Sequence, residues 1–217
     1  MKKTIKNKVD AISLNRVQFP EDEARFPWLA MLLDAYAIID DGLVAAIRKR
    51  GSGSSAKLAC SNGCYHCCRT HSDIPVYPLE MVGIYWFSIE KLIGPYREIL
   101  KEQLSVHSKG PCPFLINGSC SIHTMRPIAC RQFNVFNRPC KEGEDPYYTR
   151  RDDVLTPIQG YADRAFFTML PFYGVTDGAE KKRAIKDNLI HTQVRILQTC
   201  NWKELGKRMG DFDSAKK

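Results

Sequence analysis

The sequence predicts a mostly α-helical fold, a single helical domain wrapped around an irregular cysteine-rich subregion that carries one short β-hairpin. Three observations predict it. Apolar residues recur at three- and four-residue steps over long stretches. Prolines stand where helices begin, at Pro20, Pro27, Pro78 and Pro95. The one strong strand signal is FLINGSCSI at 114–122, and there is no internal repeat or heptad register.

Pro20 followed by Glu21, Asp22 and Glu23 suits a helix start, because acidic groups favour the positive end of the helix dipole. A long helix is expected from Pro27 to Ile47. Its apolar positions are Trp28, Leu32, Tyr36, Ile39, Leu43 and Ile47, interrupted by Asp34, Asp40 and Asp41. Arg48, Lys49 and Arg50 sit at its C-terminal end, and GSGSS at 51–55 reads as a flexible linker. A second helix runs from Pro78 to Gly94 and is apolar on nearly every side, which marks a buried helix. A third runs from Pro95 to about His107. Thr156-Pro157 opens a fourth, which Pro171 ends. Asp177 with Glu180, and Asn201 with Glu204, are capping-box-like starts for two more. Asn117-Gly118 is the preferred turn of a tight hairpin. Residues 1–18 read as a poorly ordered basic tail, 19–210 as one domain with its cysteine core at 58–140, and 211–217 as a second tail.

The length of 217 residues suffices for a hydrophobic core without covalent staples. No apolar run reaches the ~18 residues of a membrane span, and MKKTIKNKVD lacks the apolar segment of a signal peptide. The expectation is a reducing, cytoplasmic setting, where nine cysteines more often bind metal than pair as disulfides. The formal charge of +8 suggests a nucleic acid partner at first sight. Two four-thiolate metal sites would lower it to about +4. Much of the remaining excess lies in Lys2, Lys3, Lys6, Lys8, Lys216 and Lys217. Nucleic acid is therefore not the favoured partner, and no basic–aromatic pattern of a known module is present.

Eight cysteines fall into two groups. CSNGCYHCC supplies Cys60, Cys64, Cys67 and Cys68; Cys112, Cys120, Cys130 and Cys140 follow at nearly even spacing. A metal site needs several thiolates converging on one ion, and a tight loop such as Ser61-Asn62-Gly63 delivers them at low entropic cost. Scattered structural cysteines would not cluster in this way. Cys67 and Cys68 are adjacent, and side chains of neighbours usually diverge, so two sites or one polynuclear centre are expected. An ideal turn at Asn117-Gly118 would set Cys112 and Cys120 on opposite faces, so either the strand breaks at Pro113 or the two serve different sites. Cys200 lies apart and is expected not to be a ligand. His66, His71 and His123, with Arg69, Arg126 and Arg131, flank the cysteines as candidate polar neighbours, the arginines offsetting thiolate charge.

CSNGCYHCC, CPFLINGSCSIHTMRPIACRQF and RPC together resemble the bacterial cysteine-cluster proteins described as zinc- or iron-chelating domains, over about residues 58–140. The resemblance implies metal or iron–sulfur ligation by the eight matching cysteines. His123 stands where that pattern frequently has tyrosine, and Cys200 has no counterpart. The favoured function is an iron–sulfur or non-haem iron protein with a redox or group-transfer role, served by a small-molecule or protein redox partner. The alternative is a zinc-stabilised binding or scaffold module without catalysis. No nucleophile triad, phosphate loop or HExxH motif is present, so no catalytic residue is named.

Overall fold

In the computed structural model the described residues are 16–52, 56–61, 63–108 and 110–216. The expected N-terminal tail up to residue 15, and residues 53–55 of the expected linker, lie outside them. The chain is mostly helical, as predicted, with short antiparallel strand pairs. It divides into two compact units, one of residues up to 59 with 131–139 and 152–192, the other of 60–130, 140–151 and 193–217.

The first unit is built on α1 (Pro20–Arg25) and α2 (Pro27–Gly51), with α8 (Gln159–Met169) and α9 (Gly178–Lys186) later in the chain. The buried stripe of α2 is Leu29, Leu32, Leu33, Ala35, Tyr36, Ile39, Gly42 and Ala46, so Leu29 takes the place expected of Trp28. Leu43 and Ile47 pack beside it against Ala46, Phe136 and Leu155. Gly42 allows a close helix approach: a Cβ there would lie 2.6 Å from Tyr161 Cβ of α8. Two of the three aspartates that interrupt the apolar pattern have ion-pair partners. Asp34 meets Arg16 at 2.5 Å and Asp40 meets the buried Arg131 at 2.7 Å, with Arg131 also 4.0 Å over the Tyr36 ring. α8 starts two residues after Pro157, and Asp177 caps α9 by accepting from the amides of Ala179 and Glu180, both at 2.9 Å.

The second unit contains α3 (His66–Thr70), β1 (Pro75–Val76), α4 (Pro78–Trp86), α5 (Pro95–Val106), β2 (Leu115–Ile116), β3 (Ser119–Cys120) and α6 (Ile128–Gln132), whose last two residues fall in the first unit. α7 (Pro146–Thr149), β4 (Arg195–Ile196) and α10 (Trp202–Ala215) complete it. The hairpin forms at the expected turn, with Asn117 at φ 48° and Gly118 at φ 74°. A second pair, β1 with β4, was not expected. The core centres on Trp202, which meets Phe114 edge-on at 4.8 Å and donates its indole N–H to the Leu197 carbonyl at 2.6 Å.

Three helix ends differ from expectation. α4 gives way at Phe87 to a π turn running to Lys91, short of Gly94. The buried Arg97 guanidinium explains how the wider turn is tolerated, since it donates to the carbonyls of Ser88 (2.8 Å), Ile89 (2.8 Å) and Leu92 (3.1 Å). α10 starts after Asn201 without a side-chain cap, because burial of Trp202, Leu205 and Met209 supplies its stability instead. It also continues to Ala215, through most of the stretch read as a tail.

Candidate metal centre

All eight candidate cysteines fall in the second unit, and all nine cysteines of the chain are free thiols. Cys67 and Cys68 occupy the short helix α3. The Cys112 amide donates to the Cys68 carbonyl at 2.7 Å, tying the second cysteine group to the first. Cys112 then precedes the strand: the Leu115 amide returns to its carbonyl at 3.0 Å, and β2 begins at Leu115. The break at Pro113 removes the strict alternation that would have set Cys112 and Cys120 on opposite faces. Cys120 lies on β3 opposite Leu115. Cys130 lies on α6, whose first amide, Ile128, donates to Glu80 Oε1 at 2.6 Å. Glu80 is fully buried, and its other oxygen accepts from the Tyr77 amide at 3.0 Å, at the start of α4.

Five thiols act on one another. A hydrogen bond with the Cys68 thiol, and then burial, push the Cys67 thiol far above its ordinary range. Cys68 is pushed up to about 12, first by its hydrogen bond with the Cys112 thiol and also by burial and the charge of Cys120. Burial raises Cys130 well above the ordinary value, with Cys68, Cys120 and Cys67 adding to it. Burial raises Cys120 also, opposed by the Ile122 backbone and the Arg126 charge. Both members of the adjacent pair are thus close enough to act on the same neighbours, Cys68 on Cys112 and both on Cys130. Adjacent side chains on a helix stand only ~100° apart, so both can address one side.

Cys140 lies where the charges of Cys60 and Cys64 act on it. Burial raises Cys140 to about 11; the Arg150 charge opposes this, and Cys60 and Cys64 add to it. Arg150 Nη2 lies 3.7 Å from Cys140 Sγ, while its Nε donates to Glu144 at 2.8 Å. The segment carrying Cys140 is held to the α3 region by the ion pair of Arg69 with Glu142 and by a contact of His71 Nε2 with Asp145, each at 3.3 Å. Cys64 is exposed.

The flanking candidates are dispersed. Arg126 meets His123 Nε2 at 3.1 Å and acts on Cys120. His66 stacks on Tyr65, ring centroids 5.4 Å apart. Arg131 belongs to the first unit and pairs with Asp40. Cys200 donates to the Ile196 carbonyl at 3.3 Å and packs against the core of the second unit. Glu80, Glu144 and Arg150 were not anticipated. Glu80 three residues into a Pro-initiated helix was a readable capping signal, whereas no local pattern announces Arg150.

Among the described residues no group of three or more Cys, His, Asp or Glu side chains is placed so that it could hold a metal ion. The donor set nevertheless fits a thiophilic metal. Crowded, water-poor thiols resist ionisation because each thiolate repels the next, and a cation among them reverses that balance. No curated protein and no solved structure is significantly similar to the chain. Residues 59–153, which span the eight cysteines, match the CxxCxxCC family model described as "Putative zinc- or iron-chelating domain", so this stretch of the chain is similar to that family.

Proposed function

We propose that this chain holds an iron–sulfur or iron centre on Cys60, Cys64, Cys67, Cys68, Cys112, Cys120, Cys130 and Cys140, and uses it in electron or group transfer with a small-molecule or protein partner. The observation that carries this reading is that all eight cysteines, both members of the adjacent pair included, lie in the stretch that matches the chelating-domain family, with the Cys112 amide bonded to the Cys68 carbonyl at 2.7 Å. A mononuclear zinc takes about four ligands in a closed shell, whereas a polynuclear cluster accommodates more thiolates around several metals. Such a centre would supply one-electron chemistry. The chain would supply thiolate ligands, a dry setting beside the Phe114–Trp202 core, and a positive charge from Arg126 near Cys120. His66 and His123 are proposed as outer neighbours without a ligand role. The compartment proposed is a reducing, cytoplasmic one, where clustered cysteines more often bind metal than pair as disulfides. No helix among the described residues is long and apolar enough to cross a membrane.

Anaerobic purification without a metal-binding tag, followed by a visible spectrum and elemental analysis, tests this. Broad absorbance at about 400 nm with iron and acid-labile sulfide is expected. Iron without sulfide would favour a non-haem iron site. A colourless zinc protein would replace the proposal with a zinc-stabilised module, and a folded metal-free protein would end it. Cys67→Ala should lose metal, and Cys200→Ala should keep it.

A further inference from the structure

Two of the eight candidate ligands stand in the relation that a disulfide needs. The Cys112 amide donates to the Cys68 carbonyl at 2.7 Å. Even with every bond in line, that contact leaves the two Cα atoms no more than about 6.6 Å apart. Disulfides span ~4.4–6.8 Å between Cα atoms. Both backbones are fixed at that separation: the Cys68 amide donates to the Tyr65 carbonyl, and the Cys112 carbonyl accepts the Leu115 amide, each at 3.0 Å. The side chains approach as well. The two thiols share a hydrogen bond, and Cys68 packs against the buried cluster that contains Cys112. Cys67 is a poorer partner for Cys68. Consecutive Cα atoms are ~3.8 Å apart, below the disulfide range. Both residues also lie in α3, where the Cys67 carbonyl accepts the His71 amide at 3.0 Å.

We propose that Cys68 and Cys112 form a disulfide site: in the metal-free chain a small-molecule disulfide oxidises them to a cross-link, which withdraws both from the ligand set until a reductant reopens it. The withdrawal rests on the metal-binding reading above; the cross-link does not. Cys68 is half-buried and Cys112 buried, so Cys68 reacts first. Its thiol loses a proton to solvent, its sulfur bonds to one sulfur of the small disulfide, and the other half leaves as a thiol. Cys112 then loses its proton, bonds to Cys68 Sγ and expels the second small thiol. Two protein S–H bonds become one S–S bond, and the small disulfide takes up the two electrons and two protons.

The test incubates the full chain, freed of metal with EDTA, with glutathione disulfide. The thiol count should fall from nine by two. Tandem mass spectrometry should place the new bond between Cys68 and Cys112. Cys68→Ser should abolish it and Cys200→Ser should retain it. The cross-linked chain should take up about tenfold less added Co2+, read from its visible bands, than the reduced chain. A phosphine reductant should restore uptake. Nine surviving thiols, a bond mapped to another pair or a scramble of several bonds would overturn the proposal. Equal Co2+ uptake by cross-linked and reduced chains would overturn the withdrawal of ligands. A reduced chain that takes up no metal, while the bond still forms, would overturn the metal-binding reading and leave the cross-link standing.

Discussion

Glu80 has no exposed surface, and its two oxygens receive the amides of Tyr77 and Ile128, so one carboxylate closes the starts of two helices. The second of those helices carries Cys130. Each orphaned buried amide costs about 1–3 kcal/mol. Glu80→Ala is therefore expected to lower stability by about 2–4 kcal/mol in denaturant unfolding, and Glu80→Gln by less, because one carbonyl oxygen remains. A loss within ~0.5 kcal/mol for Glu80→Ala would show that the amides find other partners. The cysteines were legible in the sequence because ligands for one centre crowd together along the chain. Their neighbours were not. Arg69, Arg126 and Arg131 drew notice by standing next to cysteines, whereas Arg150, which lies 3.7 Å from the Cys140 thiol, is ten residues away from it in sequence. Arg131 shows the converse: one residue from Cys130 in sequence, it is bound to Asp40 and the Tyr36 ring.

At the scale of elements, the join between α4 and α5 depends on Arg97. It satisfies the π-turn carbonyls and binds Asp213 of α10, with Arg97 Nη2 and Lys101 Nζ at 2.8 and 2.6 Å from its oxygens. The hydrogen bonds from Arg97 and then Lys101 hold the Asp213 carboxyl below its ordinary range. A depressed folded-state value stabilises the protein above the unfolded carboxyl range of about 4, and the effect disappears as pH falls through the folded value. Asp213→Asn should therefore melt below the parent protein at pH 7, and the gap should narrow from about pH 4 downward. An equal gap at pH 7 and pH 3 would remove the ion pair as its cause. The hairpin was legible because Asn117-Gly118 encodes its own geometry. The β1–β4 pair was not, since it joins two-residue strands from distant parts of the chain. The π turn was equally hidden, because its stabilising donor lies beyond the helix that contains it.

At the scale of the molecule, the eight candidate ligands and Cys200 share one compact unit, while the α2–α8 pair belongs to the other. Metal binding contributes to the stability of whatever structure it cross-links. Chelation should therefore raise amide exchange in residues 60–130, 140–151 and 193–216, and leave α2 and α8 protected. Equal acceleration in α2 and α8 would mean that the two units open as one cooperative body. The helical class was legible from periodicity alone. The division was not, because the chain passes between units beside Cys60, Cys130 and Cys140, where no composition change marks a boundary.

Trp202 has a consequence for the order of biosynthesis. It fills the core behind the hairpin, and Gln198 bonds the His71 carbonyl at 2.8 Å, just after the vicinal cysteines. Both lie outside the stretch that matches the metal-chelating family. During translation, all eight thiols leave the ribosome well before the residues that pack over Cys68, Cys112, Cys120 and Cys130. Until 193–216 are made, those thiols lack their cover. If they bind metal as proposed, loading and oxidation would compete over an interval set by the speed of elongation through the last third of the chain.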